Sequence, residues 1–324
     1  MAKLWFFNPW NDLALACDSE YYTPPPTALN VAASGETFPL DFASPDDYVL
    51  LSSDGIKKWE EMADSSQNPI ARPWLGEKID QCEPWGWSKA VRAIFRRAGV
   101  EENILPDDEY IGNVRNLCHR RHTIGAHRFF NTDFIPIEAS DSGECVEALE
   151  FWGKVIGKYP WSSTGRGIFS GEEGFKDSFL RRCNGSIAHQ GSVMIEPAYD
   201  VVKDFAMLFY CYKNGSVEFK AYSLFENFKR AYVRNLPFGQ DQIEKILTAY
   251  VSRQRIEEVK EGMKIYLERL IACRYHGWIG VDMMIYGNPP LTGCRKKNSY
   301  EVNPCVEMNF RYTMGVYSYL KGGN

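Results

Sequence analysis

The strongest fold signal in this chain is the run Lys158-Tyr-Pro-Trp-Ser-Ser-Thr-Gly-Arg-Gly167, which begins within a predicted strand at residues 154–159. Glycines let backbone N–H groups approach phosphate oxygens closely, and serine and threonine hydroxyls supply further donors. Lys158 adds a point charge near the strand end. The run therefore predicts a phosphate-binding loop, although an ordinary flexible loop after an ordinary strand has a similar composition.

Two acidic residues accompany apolar strands farther along the chain. The run Val193-Met-Ile-Glu196 ends in an acid, and a carboxylate there could accept a hydrogen bond from an adenine amino group. An acid at a strand end would equally fit the protein surface. Asp282 interrupts the apolar run Gly280-Val-Asp-Met-Met-Ile285. A buried carboxylate is costly unless it is paired or metal-bound, whereas on a solvent-facing side Asp282 would need no partner.

A third motif, Val306-Glu-Met-Asn-Phe-Arg311, follows near the C-terminus. Glu307 and Asn309 are two residues apart, so both point to one face of a strand. With Asp282 they form a set of oxygen ligands that suits Mg²⁺ bound to ATP phosphates. Arg311 would share that face if the strand continues, where it could neutralise a phosphoryl group or tetrahedral intermediate.

Glu301 and Asn303 form a competing pair with the same spacing, six residues earlier. No arginine follows that pair at the equivalent distance, and Pro304 disturbs a strand ladder. We therefore favour Glu307 and Asn309 as the metal-binding pair.

The remaining pattern alternates strands and helices, which indicates α/β structure. The turn at residues 213–215, Lys-Asn-Gly, predicts a hairpin between strands 204–212 and 216–225. Gly99 should end a helix over residues 87–98. Further expected elements are strands at residues 3–7, 48–51, 134–137, 280–286 and 300–309, an extended loop at 24–26, and helices over 55–63, 107–130, 174–183 and 240–274.

Four motifs occur in this order: the loop, Glu196, Asp282, and the pair Glu307 and Asn309, which we call the ExN pair. Together they resemble the ATP-grasp superfamily over about residues 120–315, in its carboxylate-amine ligase-like members. Two stretches, Asn303–Gly315 and the opening run Phe7-Asn-Pro-Trp-Asn-Asp-Leu-Ala-Leu15, resemble a bacterial branch of that superfamily. The resemblance implies a mixed α/β and α+β fold, with an N-terminal Rossmann-like (pre-ATP-grasp) lobe and two α+β lobes clasping ATP. The implied domains are residues 1–115, 116–195 with the glycine-rich loop, and 196–324 with the magnesium site.

The resemblance also implies how the nucleotide is bound. Lys158 would contact the α- and β-phosphates, and Glu196 would bind adenine together with backbone groups near Ala198. Asp204, or alternatively Asp200, would reach the ribose. The loop residues that would cover the β- and γ-phosphates are Ser162, Ser163, Thr164, Gly165, Arg166 and Gly167.

The catalytic and metal-binding roles follow in the same way. Arg120 or Arg121 lies where a further phosphate-binding cation is expected, although lysine is commoner there. Arg311 would contact the reacting phosphoryl or acyl group. The spacing from Asp282 to Glu307 is longer than is usual in this family, which an insertion at residues 287–298 would explain. The implied Mg²⁺ ligands are Asp282, Glu307 and Asn309.

The N-terminal segment offers candidates for a second substrate site. Asn8, Asn11 and Asp12 follow the first predicted strand, where ligands commonly bind in α/β sheets. Asp12 could instead cap a helix that begins at Leu13. The run Pro84-Trp-Gly-Trp-Ser88 fits either an aromatic lid or a packed corner before a helix.

Composition limits the class of protein. The chain has 324 residues, a net charge of −5, 44% apolar residues and 24% charged residues, which is ordinary for a globular protein and argues against a general nucleic-acid binder. Nine cysteines occur without a CxxC pair, so a structural zinc site is not expected. His119, His122 and His127 lie among arginines, which favours a solvated basic face over a metal site. We expect a cytoplasmic protein without a membrane segment.

The activity that the resemblance implies is Mg²⁺- and ATP-dependent ligation. A small-molecule or peptide carboxylate would become an acyl phosphate, and an amine or similar nucleophile would then displace phosphate. A small-molecule kinase of the same fold remains an alternative. A non-catalytic ATP-binding regulatory protein is a second alternative, which the presence of all three metal ligands disfavours. A homodimer would be common for an enzyme of this size.

Overall fold

A computed structural model describes residues 1–162, 167–228, 231–287 and 300–322. The chain divides into two compact units. The first unit comprises residues 1–116 together with 311–313 and 317–324, and the second comprises residues 117–310 with 314–316. The three-domain organisation expected from the sequence stays a prediction.

The first unit contains a four-stranded parallel sheet with strand order β3-β2-β1-β4. Parallel strands alternate with helices here, as the sequence predicted, because each crossover needs a connecting segment that returns the chain to the same edge. The elements are β1 (Lys3–Phe6), α1 (Asn11–Cys17), α2 (Pro26–Gly35), β2 (Tyr48–Val49), α3 (Ser53–Ser65), β3 (Arg72–Pro73), β4 (Gln81–Pro84), α4 (Lys89–Ala98) and α5 (Asp108–Leu117).

The end of α4 and the start of α2 in the first unit can be compared with the glycine and proline signals of the sequence. Ser88 caps α4 by accepting a hydrogen bond from the Val91 N–H, and Gly99 ends the helix with φ 99°. The expected stop at Gly99 is therefore confirmed. The extended loop expected over residues 24–26 is only partly correct, because α2 begins at Pro26. Proline suits the first position of a helix because it lacks an N–H, and an N–H at that position would have no helical partner.

The second unit contains two antiparallel sheets. A four-stranded sheet has the order β5-β8-β6-β7, and a five-stranded sheet has the order β11-β10-β9-β12-β13. The elements are α6 (His122–Phe129), β5 (Ile137–Ala139), α7 (Ser142–Trp152), β6 (Lys154–Lys158), β7 (Ile168–Glu172), α8 (Lys176–Gln190), β8 (Val193–Pro197), β9 (Val201–Cys211), β10 (Val217–Phe228), β11 (Ala231–Asn235), α9 (Gln240–Thr248), α10 (Arg253–Ile271), β12 (Gly277–Tyr286), β13 (Glu301–Asn309) and α11 (Met314–Gly322), whose last residues belong to the first unit.

Three expectations for the second unit had different outcomes. The hairpin joining β9 to β10 is confirmed, with Gly215 at φ 84° in its turn. The long helical stretch over residues 240–274 is two helices, because Ser252 caps α10 by accepting a hydrogen bond from the Arg255 N–H. The strand expected at residues 134–137 lies mostly after that position, as β5.

Helices α7 and α8 pack on the four-stranded sheet and hold β6 and β8 in place. Removing each large apolar side chain from water contributes about 1.5–3 kcal/mol, which fixes the strands that carry the candidate site. The fully buried members of this core are Ala139, Cys145, Leu149, Val155, Cys183, Val193 and Ile195.

Among the described residues, no helix has the length and apolar character needed to cross a membrane.

Candidate functional site

Lys158 and Glu196 form a buried ion pair on the four-stranded antiparallel sheet of the second unit. Strands β6 and β8 are antiparallel, with Lys158 opposite Met194, so Glu196 lies diagonally across from Lys158. Lys158 Nζ lies 2.6 Å from Glu196 Oε1, and the side chains are only 7% and 8% exposed. Glu196 is thus a buried, paired acid, and the alternative of a surface acid at a strand end is wrong.

Asp282 and Glu307 are direct cross-strand partners in β12 and β13. Gly280 pairs with Asn309 in the same ladder, which brings the three expected metal ligands together on one face of the five-stranded sheet. Asn309 Nδ2 donates a hydrogen bond of 3.3 Å to Asp282 Oδ2. The competing Glu301 and Asn303 lie opposite Tyr286 and Met284 instead, so neither is the direct cross-strand partner of Asp282.

Asp204 lies on the same face of this sheet. In β9, Ala206 is opposite Asp282 and Asp204 is opposite Met284, so the alternation of strand side chains points Asp204 toward the same side. Burial raises the pKa of the Asp204 carboxyl. The alternative ribose ligand, Asp200, precedes β9, and its backbone carbonyl accepts a hydrogen bond from the Gly287 N–H.

Arg120 joins the start of the serine- and glycine-rich loop to the candidate metal ligands. Its Nη2 lies 2.6 Å from Glu307 Oε1, and its Nη1 donates to Ser162 Oγ at 2.8 Å and to the Tyr159 carbonyl. The Arg120 side chain is 4% exposed. Arg121 instead pairs with Glu138 at 2.8 Å and is 51% exposed. Of the two arginines left open by the sequence, the structure brings Arg120 to the site.

The described ends of the serine- and glycine-rich loop are held close together between β6 and β7. The Tyr159 N–H donates to the Gly167 carbonyl at 2.9 Å. Gly167 has φ 82°, and an added Cβ would lie 3.0 Å from Ser162 Cβ, so glycine is needed here for both reasons. The expected loop residues Ser163, Thr164, Gly165 and Arg166 lie outside the described residues.

The expected adenine contact near Ala198 has one restriction. The Ala198 N–H donates to the Lys154 carbonyl at 3.0 Å, so this amide is already engaged. Pro197, the preceding residue, has no N–H to offer. A nucleotide base bound here would therefore use other backbone groups of this segment.

Arg311 does not extend the row of side chains formed by Glu307 and Asn309. Strand β13 ends at Asn309, and Arg311 belongs to the first unit. Its Nη2 and Nε lie 2.6 Å and 3.0 Å from the two carboxylate oxygens of Asp12. Helix α1 begins at Asn11 with Trp10 at the N-cap position, so the capping role considered for Asp12 is wrong.

The segment Pro84–Ser88 is a packed corner in the first unit. Asn8 Nδ2 donates to the Gly86 carbonyl at 2.9 Å, and the Gly86 N–H donates to Asn8 Oδ1 at 3.3 Å. Trp85 is 5% exposed and packs edge-on against Phe7. These contacts favour packing over an aromatic lid. Asn11 is fully buried beside Gly86, where an added Cβ would lie 2.5 Å from Asn11 Nδ2.

The histidine-rich stretch is not the solvated basic face that the sequence suggested. His127 is 1% exposed and its Nε2 lies 3.1 Å from the Cys305 carbonyl in β13. His119 is 4% exposed and packs against Trp161. Burial lowers the pKa of His127 to about 4. Helical spacing alone could not reveal this, because a buried histidine and an exposed one give the same pattern.

The donor set suits Mg²⁺ better than a transition metal. In the described part of the chain, no group of three histidine, cysteine, aspartate or glutamate side chains could hold a metal ion. Two carboxylates and one amide do face one another, from Asp282, Glu307 and Asn309. Mg²⁺ typically binds through one or two carboxylates and completes its shell with water and substrate phosphates. The residues present therefore fit this ion.

Comparison with solved structures identifies the fold. The chain is similar to D-alanyl-alanine synthetase A from Vibrio cholerae, with 11% identity over 97% of this chain and 89% of that one and a TM-score of 0.52. N5-carboxyaminoimidazole synthetase from Staphylococcus aureus, complexed with ADP, has 14% identity over 96% and 70% and a TM-score of 0.50. D-cycloserine synthetase has 11% identity over 99% and 98% and a TM-score of 0.50.

Protein-family models and curated protein sequences give no match to this chain. The structural likeness extends over nearly the whole chain in all three comparisons. The chain therefore has the ATP-grasp fold.

Proposed function

We propose that this protein is an ATP- and Mg²⁺-dependent ligase that activates a carboxylate for attack by an amine or a similar nucleophile. The observation that carries the proposal is that two buried cations of the second unit, Lys158 and Arg120, both contact strand β13 beside the candidate metal ligands. Lys158 Nζ lies 3.4 Å from the Val306 carbonyl, and Arg120 Nη2 lies 2.6 Å from Glu307 Oε1. The comparison proteins are named as synthetases, and one was crystallised with ADP, which supports a nucleotide-dependent synthetic reaction.

Each residue has a defined task in this proposal. Lys158 and Arg120 neutralise the phosphates, while Glu196 accepts a hydrogen bond from the adenine amino group and Asp204 binds the ribose. Asp282, Glu307 and Asn309 hold Mg²⁺, which supplies positive charge beside the transferring phosphoryl group when bound. Phosphoryl transfer needs positioning and charge neutralisation more than covalent help, so no protein nucleophile is required.

The proposed reaction has two balanced steps. A carboxylate oxygen of the substrate attacks the γ-phosphorus, the bond from that phosphorus to the β,γ-bridging oxygen breaks, and ADP leaves. The amine nitrogen then attacks the acyl carbon, loses a proton, and displaces inorganic phosphate. Arg311 neutralises charge on the reacting acyl or phosphoryl group in this proposal.

The first test is nucleotide binding and metal-dependent turnover of the purified chain. Calorimetry with Mg²⁺ and a nonhydrolysable ATP analogue should show binding, and Lys158→Ala should weaken it by about 2–3 kcal/mol, the scale of a lost charge-assisted contact. Asp282→Ala and Glu307→Ala should abolish Mg²⁺-dependent ADP release. Glu301→Ala is the matched control, since this exposed acid belongs to the competing motif and should leave turnover unchanged.

Product analysis then identifies the reaction class. Incubation with pools of carboxylates and amines, followed by phosphorus NMR, should show ADP and inorganic phosphate in equal amounts. A stable phosphorylated product without inorganic phosphate would identify a kinase. Binding of Mg²⁺ and ATP without ADP formation from any pool would identify a non-catalytic nucleotide-binding protein, and wild-type turnover in both carboxylate variants would refute the metal assignment.

A further inference from the structure

Arg120 is held at the candidate site by contacts on both sides. One guanidinium nitrogen, Nη2, meets Glu307 Oε1 at 2.6 Å and the Ser162 carbonyl at 3.3 Å. The other, Nη1, donates to Ser162 Oγ at 2.8 Å and to the Tyr159 carbonyl. Arg120 thus ties the first residue of the serine- and glycine-rich loop to a proposed metal ligand.

This ion pair places a protein cation on an oxygen that Mg²⁺ would use. Glu307 lies directly opposite Asp282, so a metal ion bound by both carboxylates would sit near the Arg120 guanidinium. Two positive charges within a few ångströms in a largely buried site repel each other strongly. Arg120 and a metal ion therefore compete for Glu307.

A second observation indicates what would draw Arg120 away. Arg120 Nε is buried and has no hydrogen-bond partner within the described part of the chain. A buried donor without a partner is costly, and an oxyanion is the acceptor that a guanidinium binds best. The phosphates of a nucleotide beside Ser162 would provide such acceptors and relieve the competition at Glu307.

We propose that Arg120 couples metal binding to nucleotide binding by exchanging Glu307 for a phosphate. Without nucleotide, Arg120 neutralises Glu307 and keeps free metal ions bound only weakly. With nucleotide, the guanidinium turns to the phosphates, which frees Glu307 for the metal ion and releases the first residue of the loop. The inference rests on the proposed function, since it assigns the order of binding at that same site.

The test measures Mn²⁺ binding by electron paramagnetic resonance, with and without saturating ADP. In the wild-type chain, ADP should tighten Mn²⁺ binding about tenfold or more, within the usual range of coupling between sites. Arg120→Gln should bind Mn²⁺ more tightly than the wild type in the absence of ADP, and the effect of ADP should shrink. Arg120→Lys keeps a charge and should retain part of the coupling.

Two variants serve as controls. Arg121→Gln removes a half-exposed neighbour that pairs with Glu138, and it should leave both Mn²⁺ affinities unchanged. Glu307→Gln should remove the gain produced by Arg120→Gln when the two changes are combined. A merely structural role for Arg120 would alter thermal stability without changing the ratio of the two Mn²⁺ affinities.

The outcomes separate this inference from the proposed function. Equal Mn²⁺ affinity of the wild-type chain with and without ADP would overturn the inference, and this measurement needs no variant to fold. Unchanged Mn²⁺ affinity in folded Arg120→Gln without ADP would overturn it as well. Failure of the wild-type chain to bind ADP or ATP at all, measured by calorimetry, would instead refute the proposed function on which the inference rests.

Discussion

Asp12 and Arg311 are 299 residues apart in the sequence, yet they form a two-point ion pair within the first unit. Their side chains are only 8% and 15% exposed. Removing one partner of such a pair leaves a largely buried charge without compensation. We expect Asp12→Ala to lower the free energy of unfolding by about 3–5 kcal/mol, as measured by urea denaturation with tryptophan fluorescence.

The matched control for this prediction is an exposed ion pair in the same unit. Lys57 and Asp54 lie 3.0 Å apart with side chains 73% and 81% exposed, so Lys57→Ala should leave the denaturation midpoint nearly unchanged. The double variant Asp12→Ala, Arg311→Met should recover part of the loss, because no buried charge remains. A double variant that loses the sum of both single effects would show that the two residues act independently.

His127 gives the second prediction at this scale, a loss of stability in acid. Burial lowers the pKa of His127 from 6.5 to about 4, so the unfolded chain binds more protons than the folded one between these values. The contribution is therefore fully present above pH 6.5 and is lost as the pH falls toward 4. We expect about 2 kcal/mol less stability from this residue at pH 5 than at pH 7.

The variant His127→Gln isolates this contribution from that of other titrating groups. Glutamine keeps a side-chain N–H that can donate to the Cys305 carbonyl, but it does not titrate. Its unfolding free energy, measured at each pH by chemical denaturation, should fall less between pH 7 and pH 5 than that of the wild type. An identical pH dependence in the two proteins would remove His127 as the cause.

Among the elements, strand β6 determines where Lys158 lies. Gly157 precedes Lys158, and an added Cβ there would meet the Phe169 ring of β7 at 2.5 Å. Gly157→Ala should therefore shift β6 against β7, displace Lys158, and weaken binding of an ATP analogue about tenfold or more by calorimetry. Gly112→Ala is the control, since nothing lies near its added Cβ within α5, and it should stabilise the chain slightly.

Sequence signals predicted the longer strands of the second unit better than the surroundings of individual side chains, but they missed β3, β4, β7 and β11. The spacing of Glu307 and Asn309 correctly placed both on one face, because side-chain alternation is a local property of a strand. The partner of Arg311 could not be predicted, since it depends on where β13 ends and on a residue far away in the sequence. The burial of His127 depends on its contact with β13 and was missed for the same reason.

At the scale of the whole molecule, the C-terminal segment belongs largely to the first unit. Tyr317 stacks on Phe38 with ring centroids 4.6 Å apart, and its hydroxyl contacts the Asp41 carboxylate. Removing residues 317–324 should destabilise the first unit by about 3 kcal/mol, the scale of a lost buried aromatic side chain. Hydrogen exchange should then accelerate in β1 and β4 more than in β9 and β12.

A shorter truncation separates this packing effect from loss of the chain end itself. Removing residues 321–324 deletes the Lys321–Asp41 ion pair, in which Lys321 is 55% exposed, and leaves Tyr317 in place. Exchange in β1 and β4 should then stay close to that of the wild type, because an exposed pair contributes little. Equal acceleration in both sheets after the longer truncation would mean that the two units unfold as one cooperative body, whereas selective acceleration would mean that the first unit opens independently.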